Sequence, residues 1–197
     1  MPDNLPTVLF PDRAAFASWL AMHHAGSPGL WLQLGKKGAS VRSPSYAEAV
    51  EVALAWGWID SQKRSHDAQS WLQRFTPRGV RSLWSKINRE KVEAMIARGE
   101  MFAPGLAEVE RARADGRWEA AYAGASQIEV PEEFARALAK NRTASAAFEA
   151  LDGANRYAML FRLHNAKKPE TRTRNIERFI DMLTRGETLH PTRKKPA

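Results

Sequence analysis

The sequence predicts an α+β protein: a small N-terminal β-α-β-β sheet unit packed by helices, followed by an all-helical C-terminal part. Three observations carry this. A short apolar run, Leu30-Trp31-Leu32-Gln33-Leu34, stops at the turn-like segment Gly35-Lys36-Lys37-Gly38. Two runs of mixed polar and apolar residues, 58–64 and 69–76, follow a helical segment and flank His66-Asp67-Ala68. After Pro77-Arg78-Gly79 the apolar residues recur at helical spacing to the end of the chain.

Taken in order, residues 9–24 predict a first helix that opens at Pro11-Asp12, places Phe16, Trp19 and Leu20 on one face and ends at Gly26-Ser27-Pro28-Gly29. The strand over 30–34 comes next. Ser45 and Glu48 have the spacing of a capping box for a helix over 46–57, with Tyr46, Val50, Ala53 and Leu54 as its buried face. The two strands then complete an antiparallel or mixed sheet with helices on one face. Helices are expected over about 85–98, about 104–114, from Pro131, near 143–151 and 154–165, and over about 169–185. In the last, Ile176, Phe179, Ile180 and Leu183 form one apolar stripe. Arg174, Arg178 and Arg185 lie opposite, and Glu170 and Asp181 each precede an arginine by four residues. The composition places one domain over 1–125 and a helical domain over 126–197, with a linker at Gly124-Ala125-Ser126-Gln127 and a basic tail from about 191.

Charge is distributed unevenly. The chain of 197 residues carries a formal net charge of +8. Within 63–91, eight basic residues stand against Asp67 and Glu90. Such a stretch attracts an anion or a nucleic-acid backbone, or serves as a solvated basic surface. With no cysteine, disulfides, thiolate zinc sites and cysteine nucleophiles are excluded. His23 and His24 are adjacent and diverge on a helix, while His66, His164 and His190 stand alone, so no metal is expected. No phosphate-loop, dinucleotide or nucleophile-elbow motif occurs, and no cofactor is expected. The start of the chain lacks the pattern of a secretory signal, and a cytoplasmic location is the expectation.

The chemistry-bearing residues concentrate in one block: Trp56-Gly57-Trp58-Ile59-Asp60-Ser61-Gln62-Lys63, Arg74-Phe75-Thr76-Pro77-Arg78 and Ser82-Leu83-Trp84-Ser85-Lys86-Ile87-Asn88. Aromatics are costly to expose and polar groups costly to bury unpaired, so their mixture fits a pocket with an apolar wall and a few placed polar groups. In that reading a small anionic ligand meets the planar fork of Arg78 against the face of Trp84, with Asp60, Lys63 and Asn88 orienting it. The pocket would lie between the sheet and the helix that starts near Ser85. The other reading makes the tryptophans core and Asp60 the partner of Arg78 or Lys63. Non-specific nucleic-acid binding through 63–91 and the last helix is the alternative function. Catalysis, with Asp60 as a general base, ranks below both.

Several of these segments together resemble the bacterial YdeI/OmpD-associated, or bacteriocin-protection, family. They are Ala53-Leu54-Ala55-Trp56-Gly57-Trp58-Ile59-Asp60, Arg74 to Arg78, Ser82-x-Trp84-Ser85-x-x-Asn88, Gly99-x-Met101-x-x-x-Gly105-Leu106, Asp115-Gly116-Arg117-Trp118, and Ala166-Lys167-Lys168-Pro169-Glu170-Thr171-Arg172. The last resembles that family's closing, bacteriocin-protection domain. The resemblance implies a role in protection from bacteriocins or antimicrobial peptides and an association with an outer-membrane porin. It implies no agreed enzymatic activity.

Overall fold

The computed structural model describes residues 4–125 and 127–191. Among them are four strands and eight helices, the mixed α+β content expected. They divide into two compact units, Met1–Ala121 and Tyr122–Ala197.

In the first unit the elements run β1 (Thr7–Val8), α1 (Arg13–His23), β2 (Leu30–Gly35), α2 (Tyr46–Ala55), β3 (Trp58–Ser65), β4 (Ser70–Pro77), α3 (Lys86–Ala97) and α4 (Ala103–Ala114). The sheet order is β1-β2-β4-β3. β2–β4 and β3–β4 are antiparallel and β1–β2 is parallel, so the sheet is mixed. β1 is the element the sequence did not announce, because two residues are too few to show a period.

One sheet face carries Leu30, Leu32 and Leu34 of β2 with Phe75 of β4, which meet Phe16 and Leu20 of α1 in the core. α1 begins where Asp12 accepts the Ala15 N–H at 2.9 Å. α2 begins with the predicted capping box, in which the Ser45 hydroxyl accepts from the Glu48 N–H and the Glu48 carboxylate accepts from the Ser45 N–H. The Ser45 N–H and the Ser45 hydroxyl both donate to the Glu48 carboxylate and hold it below its usual range.

α2 differs from expectation in its burial. Ala49, Val50, Val52, Ala53, Leu54 and Ala55 are all buried, whereas Tyr46 is exposed. A helix apolar on nearly every side is one packed on nearly every side. α1 and β3 adjoin it, as do α3 and α4. Its close packing with α4 depends on Gly105, where an added Cβ would lie 2.4 Å from the Ala55 carbonyl oxygen and 2.8 Å from that of Leu54. α2 stops at Gly57, whose φ of 74° is left-handed and whose N–H returns to the Leu54 carbonyl.

The second unit contains α5 (Glu132–Ala139), α6 (Arg142–Glu149), α7 (Gly153–His164) and α8 (Pro169–Thr184). Its core joins Phe134 and Leu138, Ala144 and Phe148, Met159, Leu160 and Leu163, and Phe179, Met182 and Leu183. Phe134 meets both Phe148 and Phe179 edge-on. The α8 stripe is therefore as the spacing predicts, with Ile176 and Ile180 at its margin. On the outer face Arg185 pairs with Asp181 and Glu187, while Glu170 and Arg174 form no ion pair among the described residues. The wholly buried Asn155 accepts from the His190 N–H and donates to the His190 carbonyl, fixing the segment after α8 onto the start of α7. Most of the predicted basic tail, 192–197, lies outside the described residues.

The Gly105 contact gives a stability prediction. Gly105→Ala forces a methyl group against two backbone oxygens and costs about 2–3 kcal/mol. The urea midpoint should fall with an unchanged slope; a midpoint equal to that of the parent protein would show that α4 is not held at this distance.

Candidate functional site

The residues singled out from the sequence fall into two groups. Asp60 and Lys63 lie on β3 with a one-residue bulge between them, since three steps along β3 match two along β4. Asp60 accepts a 2.6 Å hydrogen bond from the Tyr46 hydroxyl. The exposed Lys63 holds its Nζ 4.2 Å from the centre of the Trp71 ring, and Trp71 lies beside the Tyr46 ring. Asp60, Tyr46, Trp71 and Lys63 thus form a half-exposed cluster along β3, which is the sheet's edge strand.

Arg78 and Trp84 are in the interior. Arg78 is 6% exposed and Trp84 2%. The guanidinium lies 3.6 Å from the Trp84 ring centre and donates through Nη1 to the Leu83 carbonyl at 3.2 Å. The Arg78 backbone N–H donates to Gly57, and Trp84 meets the Trp118 ring edge-on at 4.8 Å. Asn88 sits half-buried in the first turn of α3, its N–H donated to the capping hydroxyl of Ser85.

The same pairing of cation and indole recurs. Arg64 lies 4.0 Å over Trp31, and Arg113 lies 5.3 Å from Trp118. Other cations of the 63–91 stretch go elsewhere: Arg89 donates to the Trp118 carbonyl and faces Glu93, and Lys91 pairs with Glu51. Much of the local basic excess is therefore committed to rings, carbonyls and carboxylates of the unit itself.

A cleft of about 350 Å³ opens in the second unit. It is lined by Glu133 of α5, by Ala166 and Lys167 of the preceding loop, and by Pro169, Arg172, Thr173 and Ile176 of α8. Arg172 Nη1 lies 3.7 Å from Glu133 Oε1. Its Nε is buried with no hydrogen-bond acceptor among the described residues. Lys167 and Thr173 are exposed at the same cleft. Two cations and a hydroxyl at one concave surface can hold an oxyanion, the guanidinium giving direction and the ammonium charge. The Ala166–Arg172 segment drew notice in the sequence by resemblance alone; the part played by Glu133, in another helix, required the tertiary structure.

The interior position of Arg78 makes it a strut. Arg78→Ala uncovers Trp84 and leaves the Leu83 carbonyl without its donor, and should cost about 2–4 kcal/mol in equilibrium denaturation. An unchanged denaturation midpoint would return Arg78 to the role of a ligand-contacting residue.

The family comparisons divide the chain similarly. Residues 8–108, just over half of it, match a domain of unknown function, DUF8412. Residues 127–186 match the family described as bacteriocin-protection, YdeI or OmpD-associated. The segments Ala53–Asp60, Arg74–Arg78, Ser82–Asn88 and Gly99–Leu106 fall in the first match, Ala166–Arg172 falls in the second, and Asp115–Trp118 falls between them. No curated protein and no solved structure matches the chain. The chain belongs to the DUF8412 family, and its second unit is similar, over residues 127–186, to the family described as bacteriocin-protection, YdeI or OmpD-associated.

Proposed function

We propose that the protein binds a small anionic ligand, a carboxylate or a phosphate, and that the cleft formed by α5 and the start of α8 is where it does so. The observation that carries this reading is Arg172, whose Nε–H has no acceptor among the described residues while its guanidinium lines a concave surface shared with Lys167. A buried donor without an acceptor is costly, and an oxyanion at the guanidinium relieves that cost. The cleft volume is that of a small-molecule site rather than of a macromolecular groove. Glu133, 3.7 Å from Arg172 Nη1, limits the negative charge the site tolerates.

The role the sequence analysis gave to Arg78 and Trp84 passes in this reading to Arg172 and Lys167. Arg78 and Trp84 already occupy each other, so a ligand entering between them would have to displace a buried contact. Protection against bacteriocins, which the family description names, is then a consequence of ligand binding. Sequestration of cationic peptides by a chain of net charge +8 is disfavoured electrostatically.

Calorimetric titration of the full chain with inorganic phosphate, acetate, citrate and a sugar phosphate tests this. One of these anions should bind, and Arg172→Ala should weaken it roughly tenfold or more, the loss of one charge-assisted hydrogen bond. Lys167→Ala should weaken it less. Absence of binding by every anion, or an affinity indifferent to Arg172→Ala, would refute the assignment.

A further inference from the structure

The segment between β4 and α3 presents apolar side chains to solvent although its backbone is firmly held. The Ser82 N–H closes a turn onto the Gly79 carbonyl at 2.9 Å, which puts Val80 and Arg81 at the tip. Two buried arginines grip the next carbonyls: Arg117 donates to Ser82 at 2.7 Å, and Arg78 donates to Leu83 at 3.2 Å. Ser85 then caps α3 and sets Ile87 at its second position. The result is outward aliphatic side chains on an anchored backbone: Val80 is 65% exposed, Leu83 39% and Ile87 50%.

Along the segment itself the charge has one sign, and the nearby Asp115 carboxylate is paired with Arg117. From Ala68 to Arg89 the sequence contains no acidic residue, and Glu90 is the first. Arg81 and Lys86, interleaved with the three aliphatic side chains, are exposed and form no ion pair among the described residues. This differs from Lys63, Arg64, Arg78, Arg89 and Lys91, which are committed to tryptophan rings or carboxylates. Protruding aliphatic groups flanked by uncommitted cations suit a surface that is apolar beneath and anionic above. A nucleic-acid backbone would meet the cations but offer nothing to Val80, Leu83 and Ile87. A purely apolar protein groove would leave Arg81 and Lys86 facing no counter-charge.

We infer that the Val80–Ile87 segment is a peripheral docking site for an anionic lipid surface: Val80, Leu83 and Ile87 enter the headgroup region, and Arg81 and Lys86 pair with lipid phosphates. This inference is independent of the cleft in the second unit, and no residue of that cleft takes part in it.

Flotation of the full chain with vesicles tests it, using phosphatidylcholine alone and phosphatidylcholine mixed with phosphatidylglycerol. The protein should float with the mixed vesicles and not with the neutral ones. Val80→Ser/Ile87→Ser and Arg81→Glu/Lys86→Glu should each reduce the bound fraction roughly tenfold or more, since apolar insertion and charge act together. All these positions are exposed, and an unchanged denaturation midpoint in each variant excludes unfolding as the cause. Failure to float with the mixed vesicles, or equal flotation by the variants, would overturn the inference. So would a concentration-dependent dimer abolished by Val80→Ser/Ile87→Ser without any vesicle binding, because a second copy would then be the occupant.

Discussion

Arg78 set over the Trp84 ring is the interaction on which the architecture of the first unit turns. Its backbone N–H is donated to Gly57, where the chain leaves α2 for β3. Its side chain holds the Leu83 carbonyl on the way to α3, and Trp84 passes the contact on to Trp118 beyond α4. One residue at the end of β4 thus joins the start of β3, the approach to α3 and the segment after α4. A guanidinium suits this task because it covers an indole face and donates at its edge.

This arrangement changes what the local concentration of tryptophan and arginine signifies. A run rich in both can be a binding pocket or a core in which cations cover indole faces. Here Arg64 over Trp31, Lys63 over Trp71 and Arg113 near Trp118 follow the same pattern. Basic residues that look available in the sequence are in large part already used. In the second unit Arg172 instead lines a cleft, with Nε buried and without an acceptor among the described residues.

Much of the secondary structure was legible in the sequence. The Ser45–Glu48 spacing and the α8 stripe each depend on residues within a few positions of one another, where local rules act. The features that escaped depend on distant partners. β1 exists only because Thr7 and Val8 pair with Trp31 and Leu32. Val52 and Ala55 of α2 are buried because α3 and α4 adjoin a helix that already has α1 and β3 as neighbours. Tyr46 looked like core by periodicity, but its hydroxyl serves Asp60 at the sheet edge. The Arg172–Glu133 pair links α8 to a helix more than thirty residues earlier, a separation over which no spacing rule operates.

In the proposed reading the tryptophan- and arginine-rich block of the first unit is structural and anion recognition belongs to the second. Amide chemical-shift mapping of the ¹⁵N-labelled full chain, titrated with the tightest-binding small anion, tests both halves at once. Shifts should concentrate at residues 166–176 and around Glu133, with Arg78, Trp84 and Asn88 unmoved. Shifts concentrated at residues 78–88, with 166–176 unaffected, would contradict it.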